Sequence, residues 1–359
     1  LFTAVGKLAT ADRFPALIDL LYASAGETGH EAAEWAVVYV AKQIADEARR
    51  AADLLDALAR APSTEAKCSM LRVLGQVADP PHLEAVRNTL ESPDANLRDT
   101  AIRTLATWPD AAARDDLRRI VETTDDPTYH TLALRHLVQL VRADPEMTPQ
   151  DALDYYRNAL EHAGTIEEKK MVLGALGTVP TDEALGLAET YLADPAVREE
   201  AALAFHTSLF GHSSPFSSTH SEQAGLAIDL DDETRWTSES PQTNTMSFVL
   251  DLDRRYSVSR VVLDSRPSPD DYPRAFEILV TDAPDDWSAP AAAGQGCGPI
   301  TDVTFPAQDG RYLVIVLRQE APSPWSIHEI RFVDMATGEP GISPVSPPQA
   351  PAISTSPEK

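Results

Sequence analysis

The amino-acid sequence predicts a chain of two parts, an N-terminal all-α helical solenoid followed by a C-terminal all-β jelly-roll sandwich. Up to about residue 210, apolar residues recur at spacings of three and four, the period of an amphipathic helix. Beyond residue 222, apolar and polar residues alternate, as they do in half-buried strands. A stretch rich in Ser, His, Gly and Pro lies between them. The predicted segments are a helical repeat domain (1–210), a linker (211–222), a β-sandwich (223–335) and a Pro/Ser-rich disordered tail (336–359).

The chain is strongly acidic. Its 359 residues include 56 Asp and Glu against 30 Lys and Arg, which gives a net charge of −26. A field of that sign repels phosphate backbones and argues against nucleic acid as a partner. No apolar run approaches the roughly 18 residues typical of a membrane span. The two cysteines, Cys68 and Cys297, fall in different predicted domains and form no CxxC pair, so neither a disulfide framework nor a cysteine metal site is expected.

A helix kernel repeats along the first part. MLRVLGQVADPPHL (70–83) recurs as MVLGALGTVPTDEAL (171–185), and Pro or Asp-Pro breaks separate the helices. Ser63, Asp94 and Thr181 stand where an N-cap oxygen would accept hydrogen bonds from the first free N–H groups of a helix. One such helix pair cannot cover its own apolar face, so the pairs must stack. The buried leucine-like positions are predicted at intervals of 29 to 39 residues: Val40, Leu74, Leu105, Leu137, Leu176 and Phe205.

These features resemble the HEAT-repeat family, in its short bacterial form. The resemblance implies a curved solenoid of about six helix pairs, with a concave face open to a protein partner. The arginine pairs Arg49-Arg50 and Arg118-Arg119 are expected to form ion pairs between neighbouring repeats rather than to bind a ligand.

The second part contains six alternating segments bounded by Gly, Pro or Asp residues. In one of them Phe276, Ile278 and Val280 point the same way, which predicts that their face is the core face. The regular spacing is typical of a β-sandwich or jelly roll. The predicted strands are MSFVLDL (246–252), VSRVVLD (258–264), AFEILVT (275–281), ITDVTF (300–305), RYLVIVL (311–317) and SIHEIRF (326–332).

Six motifs in this part resemble, in order, those of the discoidin, or coagulation factor 5/8 type C, domain. They are AIDLDDETRWTSES, FVLDL, VSRVVLDS, YPRAFEILVTD, RYLVIVL and WSIHEIRF. In particular they are similar to carbohydrate-binding modules of this superfamily that are attached to bacterial secreted enzymes. The resemblance implies an eight-stranded jelly roll that binds sugars through loops at one end and is not catalytic.

An acidic turn and the last predicted strand together suggest a site for one hard cation. Asp229, Asp231 and Thr234 supply three side-chain oxygens within six residues, and Glu329 would complete the set from the last strand. Calcium takes about six to eight oxygen ligands of these kinds. The resemblance implies the same structural calcium, with the main-chain carbonyl of Ala227 as a further ligand. An acidic, solvated turn without a metal is the alternative.

The acidic turn departs from the family at one position. The family usually has Gly between the two acidic residues, whereas this chain has Leu230. If the position requires a positive φ, a leucine there predicts a different turn.

Sugar recognition requires an aromatic face against C–H groups, with charged or amide groups that form bidentate hydrogen bonds to hydroxyls. A structural role competes in each case: Arg274 is also placed to pair with an acidic neighbour, and Trp325 to pack into a corner of the sandwich. The ligand-binding candidates in predicted loops are Arg266, Tyr272, Arg274, Trp325 and His328, with Asp270 in the same loop as the first three.

No catalytic motif of the GxSxG, GxxxxGK, GxGxxG or HExxH kind occurs in the chain. The expected function is therefore non-enzymatic binding, in which a helical scaffold presents a calcium-containing carbohydrate-binding module within a larger secreted or periplasmic bacterial protein. The alternative is a protein-interaction scaffold whose sandwich binds protein instead of glycan. A third hypothesis is an enzyme with an unfamiliar site where the two domains join. An extracellular or periplasmic location follows only from the resemblance and from the calcium hypothesis.

Overall fold

The computed structural model describes residues 13–24 and 30–345. Helices occupy the described chain up to residue 210 and an antiparallel sheet follows, which confirms the predicted fold class. The helices are α1 (Phe14–Ala23), α2 (His30–Ala41), α3 (Glu47–Arg60), α4 (Thr64–Val77), α5 (Pro80–Leu90), α6 (Ala95–Leu105), α7 (Arg114–Thr123), α8 (Pro127–Ala143), α9 (Pro149–His162), α10 (Ile166–Leu176), α11 (Asp182–Glu189) and α12 (Arg198–Phe210).

Side-chain caps begin several helices where the sequence predicts them. Ser63, Asp94 and Thr181 each accept a hydrogen bond from a main-chain N–H two or three residues later, at 3.2, 2.9 and 3.1 Å. Each bond satisfies a donor that has no partner within the helix, a contribution of about 1 kcal/mol to its stability.

The repeat of helix pairs predicted from the sequence is confirmed by burial. One predicted position lies on every second helix from α2 to α12, and α4 packs against both α2 and α6. All of these side chains are at most 1% exposed: Val40, Leu74, Leu105, Leu137, Leu176 and Phe205.

Ion pairs link neighbouring repeats. The Arg50 guanidinium of α3 binds the carboxylate of Asp79, the N-cap residue of α5, with an Nε–Oδ2 distance of 2.8 Å. Arg87 of α5 binds Asp116 of α7 in the same way, at 2.9 Å. Arg118, by contrast, pairs with a carboxylate of its own helix. The expected role of the arginine pairs is thus seen for Arg50.

The chain forms two compact units that divide between Glu168 and Lys169. Helices up to α9 belong to the first unit, and α11, α12 and all the strands belong to the second. The strands are β1 (Ser214–Ser217), β2 (Trp236–Thr237), β3 (Ser247–Asp264), β4 (Ala275–Thr281), β5 (Ala292–Gln295), β6 (Ile300–Leu317), β7 (Ser326–Ile327), β8 (Glu329–Arg331) and β9 (Ile342–Pro344).

Two long strands, β3 and β6, run through the sheet, whose order is β1-β3-β6-β4-β5. Each joins two segments that the sequence predicts as separate strands. The pairing of β3 with β6 shifts register between Asp251 and Tyr256, where Asp253 has a φ of 67°. The polar residues between the two predicted strands therefore form a bulge within one strand and not a turn between two.

The predicted core face of β4 is buried. Phe276, Ile278 and Val280 of β4 are 3%, 0% and 7% exposed. Trp236 packs edge-to-face on Phe248, with ring centroids 5.1 Å apart, and is fully buried. Aromatic side chains of this size contribute much of the apolar burial of a small sandwich.

The predicted linker and tail both contribute strands. Residues 214–217 of the predicted linker form β1, which pairs with β3, and residues 342–344 of the predicted tail form β9, which pairs with the other half of β3. The remainder of the predicted disordered tail, 346–359, lies outside the described residues, as do residues 1–12 and 25–29 of the predicted repeat domain.

A buried histidine joins α12 to the sandwich. His206 is 3% exposed, and its Nδ1 donates to the Ala202 carbonyl at 2.7 Å. Its Nε2 therefore carries the lone pair and accepts from the Phe332 N–H at 2.9 Å. The ring also stacks on Phe210 and Phe332. Burial lowers the pKa of His206 to about 4, so the neutral form is the one that fits this site.

A second group of contacts joins α11 to β3. The Tyr256 hydroxyl is buried and donates to Asp182 at 2.7 Å, and Arg254 donates to the other oxygen of the same carboxylate at 3.0 Å. His212 Nε2 lies 3.0 Å from the Tyr256 hydroxyl. Helices α11 and α12 are consequently bonded to the strands by buried polar groups as well as by apolar packing.

Candidate functional site

The acidic turn, defined as residues 227–235, is organised around Asp229. The Thr234 hydroxyl lies 2.9 and 2.7 Å from the two carboxylate oxygens of Asp229, and the Asp231 N–H donates to one of them at 3.1 Å. The carbonyl of Asp231 also lies 3.1 Å from that hydroxyl, while its carboxylate accepts from the Glu233 N–H. Ala227 is buried at the end of the short 3₁₀ helix that leads into the turn.

Leu230 adopts the left-handed backbone conformation that glycine adopts most readily. Its φ is 65°, so the turn has a positive φ at the position where this chain carries leucine. An L-residue in this region carries a steric cost of roughly 1–2 kcal/mol. The hydrogen bonds around Asp229 are in place despite that cost.

The strain at Leu230 predicts an unusual order of stability for two variants. Leu230→Gly is expected to be more stable than Leu230→Ala by about 1 kcal/mol, because only glycine removes the steric cost. At the nearby Leu226, whose φ is not positive, the same two substitutions should give the opposite order, since alanine loses less backbone entropy on folding. Urea unfolding of the four variants measures their free energies of unfolding. A higher stability of the alanine variant than of the glycine variant at both positions would contradict the prediction.

Glu329 lies beside the acidic turn with its carboxylate sealed from water. The residue is 0% exposed, and neither carboxylate oxygen has a hydrogen-bond donor among the described residues. Burial raises the pKa of Glu329 to about 8; the Arg331 charge lowers it, and the Asp229 and Asp232 carboxyls raise it. A buried carboxylate is costly to ionise, so the neutral acid is favoured unless a cation lies beside it.

The oxygens of the turn are of the kinds that calcium binds. The Thr234 hydroxyl lies 2.7 Å from the Asp229 carboxylate, and Glu329 is near enough to Asp229 for the two carboxyls to interact. Calcium accepts carboxylate and hydroxyl oxygens together with main-chain carbonyls. Within residues 13–24 and 30–345, no three His, Cys, Asp or Glu side chains form a metal-binding group by themselves. A cation at this turn would therefore have to use the hydroxyl and carbonyl oxygens as well.

Three residues that the sequence reasoning overlooked hold the acidic turn against β8. Arg331 donates both to Asp232 in the turn and to Asp264 at the end of β3. Glu329 and Arg331 are two residues apart on one strand and so share a face, a spacing that could have pointed to Arg331. Asp264 is 1% exposed; burial alone would raise its pKa, but hydrogen bonds from Arg266 lower it.

Two of the predicted ligand-binding residues belong to this scaffold. Arg266 forms an ion pair with Asp264, in which its Nε donates to both carboxylate oxygens, at 3.0 and 2.9 Å. His328 is 3% exposed; its Nδ1 donates to the Asp232 carbonyl at 2.9 Å and its Nε2 lies 3.1 Å from the Ser268 hydroxyl. Both ring nitrogens of His328 are thus engaged in holding loops together.

Tyr272 and Arg274 lie at a different place, which we call the loop end. It is the end of the sheet where β3 and β4 begin and β6 ends, and it is formed by loops 238–246, 265–274 and 318–325. The Arg274 guanidinium lies 3.8 Å from the centroid of the Tyr272 ring and donates to the Asp270 carbonyl and the Ser323 hydroxyl, at 2.8 and 3.1 Å. Both side chains remain partly exposed.

Trp325 lies beneath the loop end and has no ring face exposed to a ligand. It is 0% exposed and packs edge-to-face on Trp236, with centroids 5.0 Å apart. Its main-chain N–H donates to the Ser238 hydroxyl at 2.9 Å. The structure therefore gives Trp325 the position of a packed corner, the structural alternative that the sequence left open.

Gln242 ties the three loops together and carries no signal in the sequence. Its side-chain N–H groups donate to the carbonyls of Tyr272 and Pro324, at 2.9 and 3.1 Å, and its oxygen accepts from the Arg274 N–H at 3.3 Å. The residue is 1% exposed. A buried amide with these bonds fixes the backbone on which Tyr272 and Arg274 are mounted.

No helix within the described parts of the chain has the length and apolar character needed to cross a membrane. A comparison with curated proteins gives no match.

Among solved structures, the chain is similar to the family 32 carbohydrate-binding module of NanJ from C. perfringens, in complex with galactose. The two sequences are 20% identical, and the match covers 34% of this chain and 93% of that one with a TM-score of 0.30. A second C. perfringens module, in complex with GalNAc-β-1,3-galactose, is 16% identical, and the match covers 34% of this chain and 96% of that one with a TM-score of 0.30. Chitosan-binding module 1 of a chitosanase/glucanase from Paenibacillus sp. IK-5 is 22% identical, and the match covers 33% of this chain and 92% of that one with a TM-score of 0.28.

Two family models match separate parts of the chain. The model for HEAT repeats matches residues 51–138, and the model for the F5/8 type C domain matches residues 211–330. The first match falls on the helices with the confirmed repeat, and the second covers the acidic turn, the loop end and the strands that carry them. The protein thus combines HEAT repeats with an F5/8 type C domain.

Proposed function

We propose that the F5/8 type C domain is a carbohydrate-binding module that takes its ligand at the loop end. The observation that carries the proposal is the Tyr272 and Arg274 pair, held partly exposed by the buried Gln242. A tyrosine ring offers an apolar edge and a hydroxyl, and a guanidinium offers several parallel N–H donors, which together suit the C–H and O–H groups of a sugar. The family match at residues 211–330 supports this assignment.

The proposal includes one structural calcium ion at the acidic turn. Its ligands would be the Ala227 carbonyl, the Asp229 and Asp231 side chains, the Thr234 hydroxyl and the Glu329 carboxylate. The ion would supply positive charge to the buried Glu329 and so fasten the turn to β8. Its role would be structural, since none of the proposed ligands is among the residues that contact Tyr272 and Arg274. Free calcium is plentiful outside the cytoplasm, and we therefore propose an extracellular or periplasmic location.

The HEAT repeats are proposed to serve as the non-catalytic scaffold that presents this module. One observation favours a protein partner as the alternative function. A groove between α4 and α6 is lined by polar and charged side chains, among them Thr64, Arg72, Asn96 and Asp99. Mixed donors and acceptors of this kind suit a polypeptide segment.

A glycan array probed with the whole chain tests the proposal. With about 1 mM calcium present, the wild-type protein is expected to bind a restricted set of glycans. Tyr272→Ala should weaken that binding about tenfold or more, which corresponds to about 1.4 kcal/mol. The matched control is Tyr312→Ala, because Tyr312 also lies under an arginine, at 5.3 Å, but away from the loop end. Absence of any bound glycan would refute the carbohydrate function and leave the protein-binding alternative.

A further inference from the structure

A continuous set of hydrogen bonds joins the acidic turn to the loop 265–274. The His328 Nδ1 donates to the Asp232 carbonyl at 2.9 Å, so in the neutral ring Nε2 carries the lone pair and accepts from the Ser268 hydroxyl at 3.1 Å. The oxygen of that hydroxyl in turn accepts from the Arg235 guanidinium. The set therefore begins and ends in the acidic turn and passes through one residue of the loop.

Ser268 also holds the backbone of its own loop. Its N–H donates to the Ser265 carbonyl at 2.8 Å, and its carbonyl accepts from the Asp271 N–H at 3.0 Å. Asp271 immediately precedes Tyr272. Ser268 and His328 are 8% and 3% exposed, so water competes little for the hydrogen bonds of their side chains. The position of the Ser268 hydroxyl therefore bears directly on the backbone that carries Tyr272.

The other three members of this set each adjoin a proposed calcium ligand in the sequence. The adjoining pairs are Asp231 and Asp232, Thr234 and Arg235, and Glu329 and His328. Calcium holds its oxygen ligands at about 2.3–2.6 Å, and a fixed ligand restrains the residue bonded to it. An ion at the acidic turn would therefore align the groups that hold Ser268, although none of its proposed ligands lies in the loop 265–274.

Positive charge is needed to keep this arrangement together. The Asp229 and Glu329 carboxyls are close enough to interact, and two like charges repel each other unless a cation lies beside them. Glu329 is the residue after His328. Repulsion that moves Glu329 away from the turn would also move His328, and with it the bond to Ser268.

We propose that calcium at the acidic turn orders the loop 265–274, and that Ser268 and His328 are the positioning residues through which the ion acts. The inference rests on the proposed calcium ion and adds a regulatory role to it. With the ion bound, Tyr272 and Arg274 are presented in one arrangement. Without it, the loop takes up several arrangements, and only a fraction of the molecules present the two side chains correctly to a glycan, which lowers the apparent affinity.

Amide hydrogen exchange of the whole chain, measured by mass spectrometry with about 1 mM calcium and with a chelator, tests the inference without any glycan. In the wild type, calcium is expected to slow exchange about fivefold or more both in the acidic turn and in the loop 265–274. Ser268→Ala should keep the effect in the turn and lose most of it in the loop. A small part should remain there, because Arg235 also lies 4.0 Å from the Asp271 carboxylate. Ser268→Thr keeps the hydroxyl and should retain both effects.

Ser240→Ala is the matched control, because Ser240 lies in another loop of the loop end and its hydroxyl donates to the Ser238 carbonyl. It should respond to calcium as the wild type does, and a melting curve confirms that each variant is folded. Exchange in β4 is the internal reference, since an equal change there would mark a general change in stability and overturn the inference.

The outcomes separate this inference from the calcium ion itself. Slower exchange in the turn alone, in the wild type, overturns the inference while the calcium ion stands. No change in the turn overturns both. A loop that responds to calcium as strongly in Ser268→Ala as in the wild type overturns the route through Ser268. The wild-type comparison requires no variant, so the inference can be refuted whether or not Ser268→Ala folds.

Discussion

Removal of calcium is expected to lower the melting temperature of the protein by about 5–10 °C. An ion present at about 100 times its dissociation constant stabilises the folded state by about 2.7 kcal/mol, and 1 kcal/mol corresponds to about 2–4 °C in a unit of this size. The physical reason is the buried Glu329 carboxylate, which has no donor among the described residues and lies beside Asp229. Differential scanning calorimetry at neutral pH with calcium and with a chelator measures the change.

Two substitutions locate that effect. Glu329→Gln should abolish the response to the chelator, because it removes a charged ligand while leaving the volume of the side chain almost unchanged. Glu233→Gln is the control, since Glu233 lies in the same turn, is exposed and is not among the proposed ligands. A wild-type melting temperature that is the same with and without calcium would refute the structural calcium ion.

Acidification from pH 6.5 to pH 4 is expected to destabilise the second unit by about 3 kcal/mol through His206 alone. The pKa of His206 falls from 6.5 to about 4 on folding, and each pKa unit corresponds to about 1.4 kcal/mol. Below pH 6.5 the unfolded chain takes up a proton that the folded site rejects, so stability is complete above that pH and is lost as the pH falls towards 4. The groups that face the ring are the Ala202 carbonyl, the Phe332 N–H and the neighbouring aromatic rings, with the Arg331 charge also acting against protonation.

Urea unfolding at several pH values, with and without His206→Gln, isolates this contribution from that of the carboxylates. Glutamine offers one donor and one acceptor but does not titrate, so the variant should lose less stability than the wild type over the same range. His220→Gln, at a partly exposed histidine, should follow the wild type. Parallel pH profiles for the wild type and His206→Gln would contradict the assignment.

The fold could be predicted from the sequence wherever a periodic pattern extends over many residues. The six repeat positions from Val40 to Phe205 are all buried, because a helix with one apolar face must cover that face against its neighbours. The long strands were harder to recognise. Asp253 and its neighbours have the composition of a turn, but the partner strand β6 continues past them, and the pairing on either side of the bulge is decided by tertiary contacts.

The candidate site was only partly visible in the sequence. The calcium hypothesis placed Glu329 beside the turn around Asp229, where the structure has it, and the ion itself stays a prediction. The positive φ of Leu230 could not be read from the local sequence. Trp325 and Tyr272 are both aromatic residues in predicted loops, but Trp325 is buried and Tyr272 is partly exposed. The sequence alone does not distinguish these two environments. Gln242 lies in a polar loop without periodicity, so nothing in the local pattern distinguishes it.

The contacts of α11 and α12 with the strands bear on how this sandwich could be transplanted into another protein. A graft that starts at residue 211 would leave behind Asp182, the partner of both Arg254 and Tyr256, and would strip the Phe332 N–H of its acceptor on His206. A fragment for transfer should therefore start near residue 169, where the two compact units divide, so that it includes α11 and α12 together with the sandwich.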